Sequence, residues 1–334
     1  MRVADHEFMI KKFNLGLAFA LVFGLLLADS VKAQDPAFTQ FYANPIYLNP
    51  ALAGAVRCPR VVMNYRNQWP ALTGTFVTYS ASYDQHFDAL SGGLGIIATA
   101  DRAGEGTVNT TNAAVIYSYS LDVTDDFAIR AGFQGGFFQK SIAWDKLTFG
   151  DMIDPRFGFI YDTKEVPGQN TINGLDFSAG ILGFSRTFYV GFATHHLTEP
   201  NESFFRETDS QISDLPRKYT GHIGAVIPFN KKYPDEGSIS PNFLYQRQGS
   251  FQQWNIGLYL TKGPVVGGMW YRHDDALAFL FGLQADQIRV GYSYDLTISK
   301  LTNATGGAHE ISLAFQFPCR QKRVRFRPLS CPKF

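Results

Sequence analysis

Apolar and polar residues alternate along this chain in repeated runs of roughly ten residues, and each run ends at a turn or a loop. The sharpest run covers residues 288–298, where Ile, Val, Tyr, Tyr, Leu and Ile occupy every second position. Because successive side chains of a strand point to opposite faces, one face is apolar and aromatic, and the other is polar or small. A soluble β-sandwich can show this pattern, whereas a transmembrane β-barrel requires it.

These runs predict fourteen strands. The predicted strands cover roughly residues 59–67, 75–88, 92–101, 107–122, 125–139, 174–186, 187–196, 217–229, 238–248, 252–262, 264–273, 276–286, 288–298 and 307–317. Many exceed the five or six residues usual in soluble sheets and are close to the nine to eleven that a tilted membrane strand needs. A hairpin that is split or merged in this reading would change the count to twelve or sixteen.

The lengths of the connections give a second indication of a barrel. The two longest predicted connections, residues 140–173 and 197–216, both follow odd-numbered strands, and connections after even-numbered strands are short. Bacterial barrels combine short periplasmic turns with long outer loops. We therefore predict an all-β protein, an antiparallel transmembrane barrel of about fourteen strands over residues 59–317, located in the bacterial outer membrane.

The first 33 residues are typical of a secretory signal peptide. Lys11 and Lys12 precede the apolar stretch Leu15–Leu27, and Ala33 offers a small-residue cleavage site. Met9 is an alternative start of translation. The sequence thus predicts a signal peptide over 1–33, a periplasmic arm over 34–58 and a basic periplasmic tail over 318–334, with both mature termini in the periplasm.

Composition supports an exported barrel. Charged residues make up only 18% of the chain and aromatic residues 15%, and no segment after residue 33 is long and apolar enough for a membrane helix. The net charge of +1 indicates no particular partner. The predicted inward faces are rich in Gly, Ser and Ala, which favours a filled interior over an open porin.

The N-terminal arm is rich in aromatic residues. Phe38, Phe41, Tyr42 and Tyr47 stand among Asn and Pro residues, which suits a segment that docks in an extended conformation with little loss of entropy. Two interpretations stay open for these four residues. The arm either binds a partner or plugs the lumen, or it is a strap that packs under the barrel and caps its periplasmic mouth.

Three cysteines in an exported chain leave one unpaired. Cys319 and Cys331 lie close together in the tail and are the first candidates for a disulfide, with Cys58 as an alternative partner for either. The six basic residues of the tail indicate contact with acidic partner surfaces or lipid phosphates, or simply a soluble tail. An exported protein meets no nucleic acid there.

The sequence predicts no catalytic, cofactor or metal site. Ser82, Asp84 and His86 share the polar face of the second predicted strand, but that face points inward and no nucleophile elbow is present. His195 and His196 are neighbours in a strand, so they point to opposite sides and do not form a chelating pair. We therefore expect a protein without enzymatic activity.

Long strings of residues resemble one known family. They are residues 34–42 (QDPAFTQFY), 49–54 (NPALAG), 64–70 (NYRNQWP), 78–84 (TYSASYD), 150–158 (GDMIDPRFG), 195–201 (HHLTEPN) and 215–219 (LPRKY), with Asn44-Pro45, Ser240-Pro241-Asn242 and Trp270-Tyr271-Arg272. Together they resemble the PorP/SprF family of outer-membrane proteins of the type IX secretion and gliding machinery of Bacteroidetes.

This resemblance covers the whole mature chain. It implies a barrel without enzymatic activity that helps specific cargo, such as adhesins, to leave the cell or to stay on its surface. Its implied partners are other type IX secretion components, secreted cargo and outer-membrane lipid. A channel for small hydrophobic solutes is the alternative function, and an outer-membrane enzyme a third.

Overall fold

A computed structural model describes residues 35–124, 126–205, 213–230, 232–233, 236–299 and 305–318. The predicted signal peptide, residues 1–33, lies outside the described residues. Residues 319–334, and with them Cys319, Cys331 and the basic tail, also lie outside.

Fourteen long strands form the wall of a barrel in the described part of the chain. The first seven are β1 (Arg60–Gln68), β2 (Phe76–Phe87), β3 (Gly92–Ala103), β4 (Val108–Asp122), β5 (Phe127–Ile142), β6 (Thr171–Ser185) and β7 (Phe188–His195). The second seven are β8 (Lys218–Ala225), β9 (Gly237–Gln248), β10 (Phe251–Lys262), β11 (Val265–Arg272), β12 (Ala276–Gln284), β13 (Ile288–Thr297) and β14 (Ala308–Gln316).

Each strand pairs antiparallel with its neighbour in sequence, and β14 pairs with β1 to close the barrel. In the closing pair Arg60 lies opposite Gln316, and Gln68 lies opposite Ala308. Closure removes every sheet edge, which is what allows a β-structure to cross a membrane without unpaired backbone groups. The predicted closed antiparallel barrel of fourteen strands is therefore confirmed.

The period-two alternation separates the two surfaces of the wall. Apolar residues of the outward face are well exposed, as for Val115 (62%) and Phe281 (54%), whereas Glu310 on the inward face is fully buried. The run at residues 288–298 places Ile288, Val290 and Tyr292 outward, as its pattern predicts. The outer surface is the one that contacts lipid in a barrel of this kind.

The two ends of the barrel differ. The end that carries the connections 143–170 and 196–217 is called the loop end here, and the opposite end, which carries short connections such as 186–187 and 263–264, is called the turn end. The loop 143–170 contains short 3-10 turns at Trp144–Lys146 and Gly150–Met152 and a small hairpin of Ile153–Asp154 with Gly158–Phe159. A further 3-10 turn, Asp88–Leu90, joins β2 to β3.

The remaining regular elements are short. The arm contains a 3-10 turn at Phe41–Ala43, a single α-turn at Pro45–Leu48 and a second 3-10 turn at Pro50–Leu52, and Ile227–Pro228 extends the β8–β9 pairing toward the turn end. Within the described residues, every helix is too short or too polar to cross a membrane.

Candidate functional site

The arm, residues 35–58, lies inside the barrel. Phe38, Phe41, Tyr42, Ile46 and Leu52 are all at least 94% buried. They pack against inward-facing residues of the wall, such as those of β6, β10 and β11. Of the two interpretations left open for the arm, the structure shows a segment inside the lumen and not a strap beneath the barrel. The reason is that the inward faces carry small side chains, which leave a space that the arm fills.

The four aromatic residues singled out from the sequence occupy this interior. Phe41 packs edge-on against Trp270 (ring centroids 5.2 Å apart), and Tyr42 packs edge-on against Tyr189 (5.7 Å). Phe38 packs against Tyr47 within the arm (5.1 Å), and the Tyr47 hydroxyl donates to the Pro36 carbonyl oxygen at 2.6 Å. Phe38 and Tyr47 thus stabilise the arm through contacts within it, whereas Phe41 and Tyr42 pack the arm against the wall.

Two inward-facing glycines give the arm backbone its room. A Cβ atom on Gly132 of β5 would overlap the backbone of Pro50 and Ala51, and one on Gly93 of β3 would overlap the carbonyl oxygen of Ala53. No residue larger than glycine fits at either position without moving the arm. The wall is therefore shaped to accept the main chain of this segment.

A buried ion-pair network holds the arm in the half of the barrel near the loop end. Arg66 pairs with Asp295 at 2.9 Å and with Glu310 at 3.3 Å, and Arg272 reaches Asp295 at 3.4 Å. The Thr39 backbone N–H donates to Glu310 at 2.7 Å, and the Thr39 hydroxyl donates to Asp295 at 2.6 Å. The Thr39 hydroxyl also accepts from Arg66 at 2.7 Å and from Arg272 at 2.8 Å, so Thr39 joins the arm to charged residues of four strands.

A second contact group holds the arm near the turn end. Asp84 forms a two-point ion pair with Arg60, with both distances 3.0 Å, and also accepts the Gly54 backbone N–H at 2.8 Å. The Ala53 carbonyl oxygen accepts from the Ser118 hydroxyl at 2.6 Å and from Arg130 at 3.1 Å. The arm is thus bonded through its main chain at both ends of its path.

A third group, called the loop-end anchor here, consists of Asp35, Asp176, His196 and Lys218. His196 Nε2 lies 2.8 Å from Asp35, His196 Nδ1 lies 2.8 Å from Asp176, and Lys218 Nζ lies 3.5 Å from Asp35. The Asp35 backbone N–H also donates to the Gln248 side chain at 3.0 Å. The anchor ties the first described residue of the arm to the ends of three strands.

Charge pairing in the loop-end anchor outweighs the effect of burial. Burial lowers the pKa of His196, but the charge of Asp35 and the hydrogen bond and charge of Asp176 raise this pKa to about 10. Burial raises the pKa of Asp35, but the charges of His196 and Lys218 hold this pKa well below its usual range. His196 is therefore a cation and Asp35 an anion at neutral pH.

The arm runs from one end of the barrel to the other. Asp35 contacts Gln248 and Lys218 at the loop end, whereas Arg57 pairs with Asp88 at the turn end. Phe317 also lies at the turn end, where its backbone N–H donates to the Pro59 carbonyl oxygen at 2.9 Å. The sequence analysis expected both mature termini on one side. The passage of the arm through the interior instead places Asp35 and Phe317 at opposite ends.

Cys58 is disulfide-bonded. The other two cysteines of the chain, Cys319 and Cys331, lie outside the described residues. The pairing of the three cysteines therefore stays a prediction.

Three of the residues weighed for chemistry, Asp84, His86 and His196, form ion pairs in the structure. Asp84 binds Arg60 and the arm, and His86 pairs with Asp88 at 3.3 Å. His196 belongs to the loop-end anchor, and its ring centroid lies 6.5 Å from that of His195. Among the described residues, no group of three or more His, Cys, Asp or Glu side chains is placed to hold a metal ion.

The two long connections pack against each other above the barrel wall. Trp144 contacts Phe205 with ring centroids 5.6 Å apart, and the Gln169 backbone N–H donates to the Phe204 carbonyl oxygen at 2.7 Å. Lys140 of β5 also pairs with Glu202 of the second connection at 2.6 Å. Beyond this contact, the first connection exposes an apolar group, called the loop surface here. It consists of Phe157, Phe159, Ile160, Tyr161 and Val166, which are 53–79% exposed.

The sequence analysis missed the charged interior residues that hold the arm. Arg66, Asp295 and Glu310 each stand on the polar face of an alternating strand, and that position was the available signal. A charge on the inward face of a membrane barrel needs a partner inside the barrel. The identity of the partner depends on which strands meet across the closed wall.

Comparisons with solved structures find outer-membrane barrels of low sequence identity. The Ralstonia pickettii toluene transporter TbuX is 11% identical with a TM-score of 0.49, and the match covers 82% of this chain and 93% of TbuX. Omp33 of Acinetobacter baumannii is 11% identical with a TM-score of 0.45, covering 79% and 100%. The P. putida toluene transporter TodX is 8% identical with a TM-score of 0.44, covering 81% and 93%.

The comparison with curated proteins gives no match. A family model, described as type IX secretion system membrane protein PorP/SprF, matches residues 30–315. That range includes the interior arm and nearly the whole barrel wall. This outer-membrane β-barrel therefore belongs to the PorP/SprF family of type IX secretion system membrane proteins.

Proposed function

We propose that this barrel is a non-enzymatic component of type IX secretion that aids the export or surface retention of specific cargo, such as adhesins. Membership of the PorP/SprF family supports the link to type IX secretion. The barrel works with other secretion components, and its loop end faces the cell exterior. Long outer loops and short periplasmic turns are the usual asymmetry of bacterial barrels and support this orientation.

The observation that carries the proposal is the loop surface. Its aromatic and aliphatic side chains stand clear of the barrel wall, with Phe157 75% and Val166 79% exposed. Exposed apolar groups of this extent mark contact sites for other molecules. Aromatic residues are enriched where proteins bind one another, because they offer a large, rigid contact area. We therefore assign cargo or partner contact to the loop surface.

The filled interior weighs against the alternative function, a channel for small hydrophobic solutes. The arm occupies the lumen from the loop end to the turn end, and its apolar side chains are buried against the wall. A cavity between the arm and β7, β8 and β9 has a volume of about 10 Å³, close to the space of one water molecule. A solute would have to displace the arm to pass.

Co-purification from detergent-solubilised membranes tests the assigned contact. The altered protein carries Phe157→Asp and Phe159→Asp, which put charges on the loop surface. The matched control carries Tyr233→Asp, at an exposed aromatic residue of the turn end (51%). We expect secretion components or a surface protein to co-purify with the unaltered protein and the control, and to be lost with the double variant.

Two further measurements separate the functions. Deletion of the gene is expected to remove specific proteins from the cell surface, and the purified barrel in liposomes is expected to show little solute flux. An unchanged set of surface proteins, together with rapid solute uptake by the purified protein, would favour the channel and reject the secretion role.

A further inference from the structure

The interior of the barrel binds the arm's main chain at both ends of its path. Glu310 accepts from two successive backbone N–H groups, those of Thr39 (2.7 Å) and Gln40 (3.1 Å). Near the turn end, Asp84 accepts from the Gly54 N–H, and Ser118 and Arg130 donate to the Ala53 carbonyl oxygen. Such contacts recognise the main chain of a polypeptide rather than a small solute.

Side-chain contacts add selectivity along the same path. The Gln40 amide donates to Ser293 at 3.3 Å, and the Ser312 hydroxyl donates to the Gln40 oxygen at 2.6 Å. The Asn49 amide donates to the carbonyl oxygens of Ile181 (3.2 Å) and Phe192 (3.3 Å), which belong to the wall itself. The interior therefore forms hydrogen bonds both with the backbone and with particular amide side chains of the segment that occupies it.

The buried carboxylates that bind residues 36–56 of the arm are also paired with arginines of the wall. Glu310 and Asp295 are paired with Arg66, and Asp84 is paired with Arg60. Residues 36–56 of the arm contain no charged side chain. Because residues 36–56 add only uncharged partners to these ion pairs, their departure leaves none of these buried charges alone. Asp35, at the start of the arm, is the exception, since it pairs with His196 and Lys218.

We propose that the barrel interior is a polypeptide-binding site, with the arm as its resident occupant. Its ligand class is an uncharged segment that adopts short helical turns as the arm does and carries aromatic and amide side chains at the arm's spacing. Such a segment of a partner protein binds the interior when the arm is out of place. The inference goes beyond the proposed function, since it concerns the interior and not the loop surface.

Peptide binding to the full-length protein tests this site. The probe is a fluorescently labelled synthetic peptide of residues 35–56. The receptor is the full chain with Phe41→Ser and Tyr42→Ser, which weaken the resident arm. We expect this variant to bind the peptide at least tenfold more tightly than the unaltered chain, whose own arm competes at an effective concentration of order millimolar. A scrambled peptide is expected to bind neither protein.

A matched pair of wall variants places the peptide in the interior. On the weakened-arm background, Gly132→Ala puts a Cβ into the path of the Pro50–Ala51 backbone, whereas Gly95→Ala meets only ordinary contacts of 3.4–3.5 Å. We expect Gly132→Ala to weaken peptide binding at least tenfold and Gly95→Ala to leave it unchanged. Equal binding of the scrambled peptide, or equal effects of the two variants, would overturn the proposal.

Hydrogen exchange on the unaltered protein provides a test that needs no variant. If the arm is a separable occupant, the backbone amides of Thr39, Gln40 and Gly54 exchange at least tenfold faster than those of paired wall residues such as Tyr292. Equal protection of arm and wall would show that they open only together, and the interior would then be a core and not a binding site. Neither experiment involves cargo, so failure here is distinct from failure of the secretion role.

Discussion

Replacing Asp35 with asparagine removes one charge from the loop-end anchor while keeping its shape. In the structure two carboxylates lie equally close to His196, with Asp35 2.8 Å from Nε2 and Asp176 2.8 Å from Nδ1. Burial lowers the pKa of His196, but the two carboxylates outweigh it and raise this pKa to about 10, against an ordinary value of 6.5. Because the two carboxylates contribute at equal distance, Asp35→Asn is expected to remove about half of that rise, or about 1–2 pH units.

This change corresponds to about 1.5–3 kcal/mol of lost stabilisation of the charged imidazole. The assay is NMR titration of the histidine ring protons in detergent micelles, with the His196 resonance identified by its loss in His196→Gln. Asp274→Asn is the matched control, because Asp274 pairs with another histidine, His273, at 3.2 Å on the exposed surface. A His196 that titrates near 6.5 in the unaltered protein, or that is unaffected by Asp35→Asn, would refute the anchor.

His196 and Asp35 set the pH range over which the loop-end anchor stabilises the fold. The pKa of His196 is raised on folding, so its contribution is complete below 6.5 and is lost as the pH rises toward 10. The pKa of Asp35 is lowered on folding, so its contribution is complete above 3.8 and is lost at more acidic pH. The anchor is therefore strongest between about pH 3.8 and 6.5 and opens first on the alkaline side.

Three further predictions concern the arm and its attachment. Ile46→Ala, at a fully buried arm position, should lower the free energy of unfolding by about 2–5 kcal/mol in urea titrations, whereas Tyr233→Ala should change it by less than about 0.5 kcal/mol. Gly132→Ala should raise single-channel conductance in planar bilayers by displacing the arm, and conductance equal to that of Gly95→Ala would count against the interior path. Cys58→Ser should lower the melting temperature as much as a reductant lowers that of the unaltered protein, because both remove the disulfide at Cys58. An unaltered protein whose melting temperature does not change with a reductant would contradict this prediction.

The barrel wall was predictable from the sequence because its signal is local. The side chains of a strand point alternately to its two faces. A run such as residues 288–298 therefore predicts which residues face lipid from its own sequence alone. The lengths of the connections then set the direction of each strand and the closed antiparallel order. Strand boundaries differ from the prediction by only a few residues, as for β6, which begins at Thr171 and not at 174.

The place of the arm was decided only by the tertiary structure. Its composition allowed a strap, a plug or a partner-binding segment, because the alternation rule says nothing of a chain that is not a strand. Its path follows from glycines such as Gly93 and Gly132 and from ion pairs such as Arg66 with Glu310, which come from strands far apart in sequence. These groups meet only when the wall closes. The alternation of apolar and polar residues along the chain therefore determined the barrel wall, whereas the closed tertiary structure determined that the arm fills its interior.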